Sequence, residues 1–124
     1  MDIVILNKKR GECDIAFRIH YVGRPTTLGN PFTHLNIANT TKVKDVETAV
    51  AKYEQWIRCE IDKANPKIIN ALETIYESAV TNKRIGLQCW CMDECRPHYA
   101  DHACHAEVIR KILQEQYVLD TQGE

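Results

Sequence analysis

The densest group of metal-binding and nucleophilic side chains lies between Cys89 and His105, where the chain reads CWCMDECRPHYADHACH. This segment holds four of the six cysteines and three of the five histidines of the chain. Thiolate and imidazole are the side chains that bind zinc and similar metals best, and they also form the usual pair for nucleophilic chemistry. The segment therefore predicts a metal site or a reactive thiol.

Two sets of four donors in this segment could surround one tetrahedral zinc ion. The first set, spaced C-x3-C-x2-H-x3-H, is Cys91, Cys95, His98 and His102. The second set is Cys89, Cys91, Cys104 and His105. An iron–sulfur cluster is disfavoured because histidines make up nearly half of the donors. We expect a structural zinc ion whose ligands come from Cys89 and the first set, although the spacing alone does not choose between the sets.

A rival interpretation makes Cys104 and His105 a catalytic pair. A cysteine in the first turn of a helix has its thiolate favoured by the amide dipoles, so Cys104 is the candidate nucleophile and His105 the candidate base. Neighbouring helical residues point in different directions, so His20, His34 or a histidine of the segment could equally be the base. A third interpretation is structural, with the cysteines packed as small apolar side chains.

The second candidate site is the segment 23–32, GRPTTLGNPF, whose glycines and prolines exclude a continuous helix or a central strand. Gly23 and Gly29 would let backbone amides approach a ligand closely, and Arg24 could bind a phosphate or carboxylate with two parallel hydrogen bonds. Asn30 could contact the edge of a base or sugar. The alternative is a pair of turns that only shape a structural loop.

Hydrophobic periodicity and turn residues predict the elements that carry these two sites. We predict strands at 3–6 and 15–22, joined by a polar turn that contains Gly11, and a third strand at 84–91. Amphipathic helices are predicted from about Asp45 to Lys63 and from Asn65-Pro66 to Thr81-Asn82. A last helix should start between Asp101 and Cys104 and end before Thr121, so both sites would meet where strands end and a helix begins.

Length and composition limit the classes of protein to which the chain can belong. The 124 residues fit a single domain, 1–124, with residues 119–124 as a flexible tail. A net charge of −1 disfavours nucleic acid as the partner. The apolar start of the chain is too short for a signal peptide or a membrane span, so we expect a cytoplasmic protein in which clustered cysteines stay reduced. The fold class expected is α/β, most simply a Rossmann-like open sheet with three main helices packed on it.

Several motifs together resemble an uncharacterised family of small phage and bacterial proteins that carry a domain of unknown function. The family pattern is Y-V-G-R, G-N-P-F, a central helix, C-W-C, and C-H opening the last helix. It falls here on Gly23, Arg24, Pro25, Gly29, Asn30, Pro31, Phe32, Cys89, Trp90, Cys91, Cys104 and His105. The resemblance implies a small α/β domain and a phage setting, and it carries no activity across.

This chain departs from the family pattern at one place. The C-W-C and C-H pieces are usually separated by a handful of residues, whereas MDECRPHYADHA separates Cys91 from Cys104 here. The insertion contains Cys95, His98 and His102, so the resemblance gives no support to a metal site built on these three side chains.

The sequence therefore predicts a phage-type α/β protein that binds a nucleotide-like or other anionic small molecule between the loop that starts at Gly23 and the Cys/His segment. If it is an enzyme, the expected reaction is hydrolysis or group transfer on a nucleoside or nucleotide. The alternative is a zinc-stabilised binding protein without catalysis, which sequesters a nucleotide signal or inhibits a host enzyme. The oligomeric state is left open.

Overall fold

The structure is a computed structural model that describes residues 1–7, 18–24, 26–33, 40–89 and 105–122. Its elements in chain order are β1 (Asp2–Asn7), β2 (Arg18–Tyr21), β3 (Phe32–Thr33), β4 (Thr41–Lys42), α1 (Val46–Asp62), α2 (Pro66–Asn82), β5 (Arg84–Cys89) and α3 (His105–Gln122). The predicted class, a small α/β domain with an open sheet and three helices, is confirmed. None of the described helices has the length and apolar character needed to cross a membrane.

The main sheet has the strand order β1-β5-β2, and both outer strands are parallel to β5. Since β1 and β2 run in the same direction and are separated by β5, they do not form a hairpin. The predicted polar turn through Gly11 falls in 8–17, outside the described residues. A second, two-residue pairing joins β3 and β4, also parallel, and the periodicity of the sequence had not predicted it.

The boundaries of α1 and α2 are those predicted, because local side chains define them. The Asp45 carboxylate accepts a hydrogen bond of 2.7 Å from the Thr48 amide and caps α1. The Asn65 side chain accepts a hydrogen bond of 3.1 Å from the Lys67 amide, and Pro66 occupies the first turn of α2, where its missing N–H has no cost.

The predicted end of the last helix is wrong, since α3 continues to Gln122. The single hydroxyl hydrogen of Thr121 is shared between the carbonyls of Tyr117, at 2.9 Å, and Val118, at 3.2 Å. Such a bond satisfies the hydroxyl within the helix, so a threonine can occupy the last turn. Residues 119–122 therefore belong to α3 and not to the expected tail.

One face of the sheet carries the hydrophobic core. Paired residues of neighbouring strands point to the same side, and those at most 4% exposed are Ile3, Ile5, Ile85 and Leu87. The helices complete the same cluster with Val50, Tyr53, Ile57, Ile68, Leu72, Ile75, Ala79, Ile109 and Leu113. Burial of each large apolar side chain stabilises the fold by about 1.5–3 kcal/mol, which fixes the sheet under the helices.

Candidate functional site

The carboxyl edge of the sheet is the place where the predicted site residues can meet. Because the three strands are parallel, their carboxyl ends lie at one edge, which is where open α/β sheets bind ligands. The glycine-containing loop leaves this edge after Tyr21, and β5 reaches it at Cys89. The amino end of α3 returns to the same edge at His105.

His105 joins α3 to the end of β2. Its side chain is 2% exposed, and Nε2 lies 2.7 Å from the carbonyl oxygen of Val22. A carbonyl can only accept, so Nε2 carries a hydrogen and donates it, and in the neutral ring the lone pair is on Nδ1. The structure thus gives the predicted catalytic base a buried, positioned ring in which only Nδ1 could accept a proton or bind a metal.

Tyr53, on α1, connects His105 to the loop. Its ring contacts the His105 ring edge-on, with centroids 5.0 Å apart and an interplanar angle of 71°. The fully buried hydroxyl donates a hydrogen bond of 2.6 Å to the carbonyl of Leu28. A tyrosine on the inward face of an amphipathic helix was the available signal, because a buried hydroxyl needs a partner.

The loop from Gly23 to Asn30 is held in shape by its own hydrogen bonds. The Thr26 amide donates to the Gly23 carbonyl, and the Gly29 amide donates to the Thr26 carbonyl, each at 2.9 Å. The Tyr21 hydroxyl donates to the Arg24 carbonyl at 2.7 Å. The loop is therefore a pair of turns on the end of β2, as the glycines and prolines predicted.

Arg24 and Asn30 are both engaged inside this loop. Nη1 of Arg24 donates a hydrogen bond of 2.7 Å to the carbonyl of Asn30, which orients the guanidinium. Asn30 is 4% exposed, and its side chain donates to the Ala49 carbonyl at 3.3 Å and accepts from the Phe32 amide at 2.9 Å. Asn30 thus anchors the loop to α1, and the ligand contact expected of it stays a prediction.

The two glycines of the loop are explained by close packing. A Cβ on Gly29 would lie 3.0 Å from both the N and the Cα of Arg24. A Cβ on Gly23 would lie 2.5 Å from the hydroxyl oxygen of Tyr21. A side chain at Gly29 would press on the backbone of Arg24, whereas one at Gly23 would displace the Tyr21 ring. The approach of a ligand to these two amides stays a prediction.

A cavity of about 390 Å³ adjoins the loop on the side of α2. The described lining residues combine three threonines, one histidine and one tyrosine with apolar side chains, and no Lys, Arg, Asp or Glu is among these described residues. They are Ile19, His20, Tyr21, Val22, Thr26, Thr27, Leu28, Ala71, Thr74 and Ile75. The cavity suits an uncharged group with hydrogen-bonding edges.

His20, one of the alternative bases considered above, lies in the wall of this cavity. Its Nε2 is 2.9 Å from the hydroxyl oxygen of Ser78 on α2. Burial, and to a smaller extent the positive charge of Arg18, lower the pKa of His20 below its ordinary 6.5. The ring is therefore neutral at pH 7.

The predicted metal ligands lie almost wholly outside the described residues. Cys89 ends β5, whereas the other candidates in 90–104 are not described: Cys91, Cys95, His98, His102 and Cys104. Within the described ranges, no three His, Cys, Asp or Glu side chains are grouped closely enough to bind a metal ion. Cys59, on α1, is an exposed free thiol. The metal site and the Cys104 nucleophile stay predictions.

The structure thus joins the loop residues to the start of α3 through Tyr53 and His105. The other aromatic residue of α1, Trp56, is half-buried and packs against Tyr53 with ring centroids 5.7 Å apart. Trp56 therefore belongs to the core that supports the site. His34 and Trp90 fall outside the described residues.

Comparison with known proteins places the chain in a family. A family model described as a domain of unknown function, DUF4326, matches residues 5–115. This range includes the loop, the Cys/His segment and most of α3. No curated protein and no solved structure matches the chain. The match covers most of the chain, and the chain belongs to the DUF4326 family of domains of unknown function.

Proposed function

We propose that the chain binds a nucleotide-like or other anionic small molecule at the carboxyl edge of the sheet, between the Gly23–Asn30 loop and the Cys/His segment. The hydrogen bond of 2.7 Å between His105 Nε2 and the Val22 carbonyl carries the proposal. It holds the amino end of α3 beside Val22, which is two residues before Arg24.

Electrostatics at this edge favour an anion. The amino end of a helix carries a partial positive charge, and a guanidinium can add two parallel hydrogen bonds to a phosphate or carboxylate. The described contacts of Arg24 use one of its five N–H groups, the one that donates to Asn30. Glu107, the acidic residue in the first turn of α3, lines a different cavity, between α1 and α3.

The uncharged part of such a ligand would occupy the cavity beside Thr26, Thr27 and Leu28. Its volume of about 390 Å³ is at the lower end of the range of small-molecule sites. Threonine hydroxyls and the neutral His20 ring can pair with the edge of a heterocycle, while the apolar residues around them contact its faces. Thus one loop would contact both parts of the ligand.

Zinc bound by the Cys/His segment would stabilise the side of the proposed site opposite the Gly23–Asn30 loop. Four donors from Cys89 and the segment could enclose the ion, and such structural sites stabilise short loops directly. If His105 were a ligand, it would bind through Nδ1, because Nε2 donates to Val22. A backbone carbonyl on the other ring nitrogen is the usual support of a metal-binding histidine.

Of the two functional classes, binding without catalysis is favoured by the burial of His105. A base that is 2% exposed and fixed by a carbonyl and an aromatic ring has a positioning role in the described structure. The enzymatic form, a hydrolase or transferase acting on a nucleoside or nucleotide, would rely on the Cys104 thiolate as nucleophile, with His105 Nδ1 as its base. The binding form would sequester a nucleotide signal or inhibit a host enzyme.

Calorimetry with nucleotides tests the anion site. We expect the parent chain to bind at least one of AMP, ADP, ATP and GTP, and Arg24→Ala to weaken that binding by about tenfold or more, because charge-assisted hydrogen bonds are lost. Arg18→Ala is the matched control, since Arg18 is exposed at the amino end of the same strand. Absence of binding by the parent, or equal losses in both variants, would disprove the anion site.

A second pair of measurements locates the uncharged part. Ala71→Leu would narrow the cavity from its α2 side and should weaken nucleotide binding while leaving the affinity for inorganic phosphate unchanged. A Leu119→Ala change on α3, where the side chain is 64% exposed and lies away from the cavity, serves as control. An unchanged nucleotide affinity in Ala71→Leu would exclude this cavity.

Metal analysis of protein purified without added zinc tests the proposed structural zinc site. We expect about one zinc ion per chain, and cysteine-to-serine changes decide between the donor sets. Loss of zinc in Cys95→Ser but not in Cys104→Ser indicates the first set, and the opposite result indicates the second. Cys59→Ser is the control, because that thiol is exposed on α1. Metal-free parent protein would refute the zinc proposal.

Measuring nucleotide turnover distinguishes an enzyme from a binding protein without catalysis. If a nucleotide that binds is also converted, Cys104→Ser should abolish conversion while binding and zinc content are kept. Conversion that persists in Cys104→Ser would remove Cys104 as the nucleophile. Binding without conversion of any nucleotide tested would establish the non-catalytic class.

A further inference from the structure

A groove of about 620 Å³ lies between α2 and α3, and Ile61 of α1 also lines it. It is larger than the cavity beside the loop and the cavity between α1 and α3. Half of its lining is aliphatic, namely Ile61, Ile69, Leu72, Ile112 and Leu113. The other lining residues are Glu73, Tyr76, Glu77, Gln116 and Asp120. We call this surface the α2–α3 groove, and nothing in the proposed function uses it.

The α2–α3 groove has the shape that receives a helix. Its α2 residues, from Ile69 to Glu77, recur at helical spacing along one stripe, and those of α3, from Ile112 to Asp120, form a second stripe. Each stripe covers eight residue steps, about 12 Å at 1.5 Å per residue. Two flanking ridges with an apolar floor are the usual receptor for an amphipathic helix.

Among the described residues that line the groove, the charged groups are all acidic. Glu73, Glu77 and Asp120 are exposed, and no lysine or arginine is among the ten lining residues. The Asp120 carboxylate accepts hydrogen bonds from Gln116, at 2.8 Å, and from the Tyr76 hydroxyl. The basic residues nearest in the α2 sequence, Lys67 and Lys83, lie beyond the two ends of its stripe.

Two exposed apolar side chains, Val80 and Leu119, follow the groove residues along α2 and α3. Among the described residues, the large hydrophobic side chains that are exposed are Val80 at 47%, Val118 at 50% and Leu119 at 64%. Val80 follows Tyr76 and Glu77 by four and three residues, and Leu119 follows Gln116 by three, so each lies on the face of its neighbours. Apolar side chains gathered at one place on a surface mark contact sites more often than scattered ones do.

We propose that the α2–α3 groove binds a basic amphipathic helix of a partner protein. The aliphatic floor, with Val80 and Leu119, would bury the apolar stripe of that helix, and the three carboxylates would pair with lysines or arginines on its flanks. An anionic membrane surface is excluded as the occupant by the same three negative charges.

The groove is separate from the candidate nucleotide site. α3 begins at the carboxyl edge of the sheet with His105 and reaches the groove with its later turns, while α2 ends at the amino edge, where β5 begins at Arg84. The two sites also lie on different faces of α2, because the groove is lined by Ile69, Leu72, Glu73, Tyr76 and Glu77 and the cavity beside the loop by Ala71, Thr74 and Ile75. The test of the groove therefore does not depend on nucleotide binding.

Fluorescence anisotropy with a labelled model peptide tests the proposal. The probe is a helix of leucine and lysine about 14 residues long, or four turns, with leucine at helical spacing. We expect binding that weakens as salt is added, about fivefold weaker for Glu77→Lys, in which an attraction becomes a repulsion, and similarly weaker for Leu119→Ser. Glu47→Lys is the matched control, an exposed acidic residue in the first turn of α1, and should bind like the parent.

Thermal unfolding of each variant confirms that the fold is retained, which is expected because Glu77 and Leu119 are exposed. Equal affinities of the parent and Glu77→Lys would overturn the proposal, as would equal loss in Glu47→Lys. Self-association of the parent chain that Leu119→Ser abolishes in sedimentation experiments would assign the groove to a second copy of the chain and would also overturn it.

Discussion

Two tyrosines show how differently the carboxyl edge and the α2–α3 groove are built. At the carboxyl edge, the buried hydroxyl of Tyr53 donates to the Leu28 backbone carbonyl at 2.6 Å. In the groove, the hydroxyl of Tyr76 donates to the exposed carboxylate of Asp120. The first bond joins a helix to a loop through the core, and the second joins two helices at the surface.

The difference concerns what replaces each bond when it breaks. A buried carbonyl that loses its donor cannot hydrogen-bond to water instead, and the free energy of unfolding falls by about 1–3 kcal/mol. An exposed carboxylate is solvated at once, so the loss is small. The carboxyl edge is therefore organised before a ligand binds, whereas the groove can rearrange its rim around a partner.

The largest effect is expected from His105→Ala. Removing this buried ring leaves a cavity and an unpaired Val22 carbonyl, and the free energy of unfolding should fall by about 3–4 kcal/mol. Urea denaturation measures the loss, and Gln114→Ala, an exposed change on the same helix, should stay within about 0.5 kcal/mol of the parent. Equal stability of the two variants would mean that His105 does not join α3 to β2.

Removing each tyrosine hydroxyl tests the comparison directly. Tyr53→Phe should lower the free energy of unfolding by about 2 kcal/mol, because the buried carbonyl of Leu28 loses its donor. Tyr76→Phe is the same chemical change at an exposed site and should have a much smaller effect. Hydrogen exchange should be faster at the Gly29 amide in Tyr53→Phe only, and comparable losses in both variants would contradict the distinction.

Gly29→Ala examines the packing of the loop alone. The added methyl group would lie 3.0 Å from the backbone of Arg24, so the turn must open at a cost of about 1 kcal/mol. The same shift should displace the Arg24 guanidinium and weaken nucleotide binding, which denaturation and calorimetry would measure on one sample. A stable variant with unchanged affinity would show that the loop tolerates a side chain here.

The smallest expected effect is a change in pH dependence at His20. Burial, followed by the charge of Arg18, lowers the pKa of His20, so below its ordinary 6.5 the unfolded chain binds a proton that the folded chain does not. Stability should therefore fall as the pH drops from 7 through 6.5 toward the lower folded pKa. In His20→Gln the decline should be shallower, and identical pH profiles by urea denaturation would refute the assignment.

Local signals were sufficient for the helices. Asp45 and Asn65 cap α1 and α2 where the sequence indicated, since a capping side chain and the amides that it accepts from lie within three residues. The same locality explains why the turns of the Gly23–Asn30 loop could be predicted. The end of α3 could not be predicted in this way. The polarity of Thr121 does not reveal that its hydroxyl bonds to a carbonyl of the preceding helical turn.

What the sequence by itself determined is the class of the domain, its helices, and the two segments that carry reactive side chains. Only the tertiary structure decided that β1 and β2 both pair in parallel with β5, and that Tyr53, His105 and Leu28 meet at one edge. These contacts join residues 25 to 83 positions apart, and no local pattern encodes them. Tertiary packing therefore made His105 a buried connection and Tyr53 its partner.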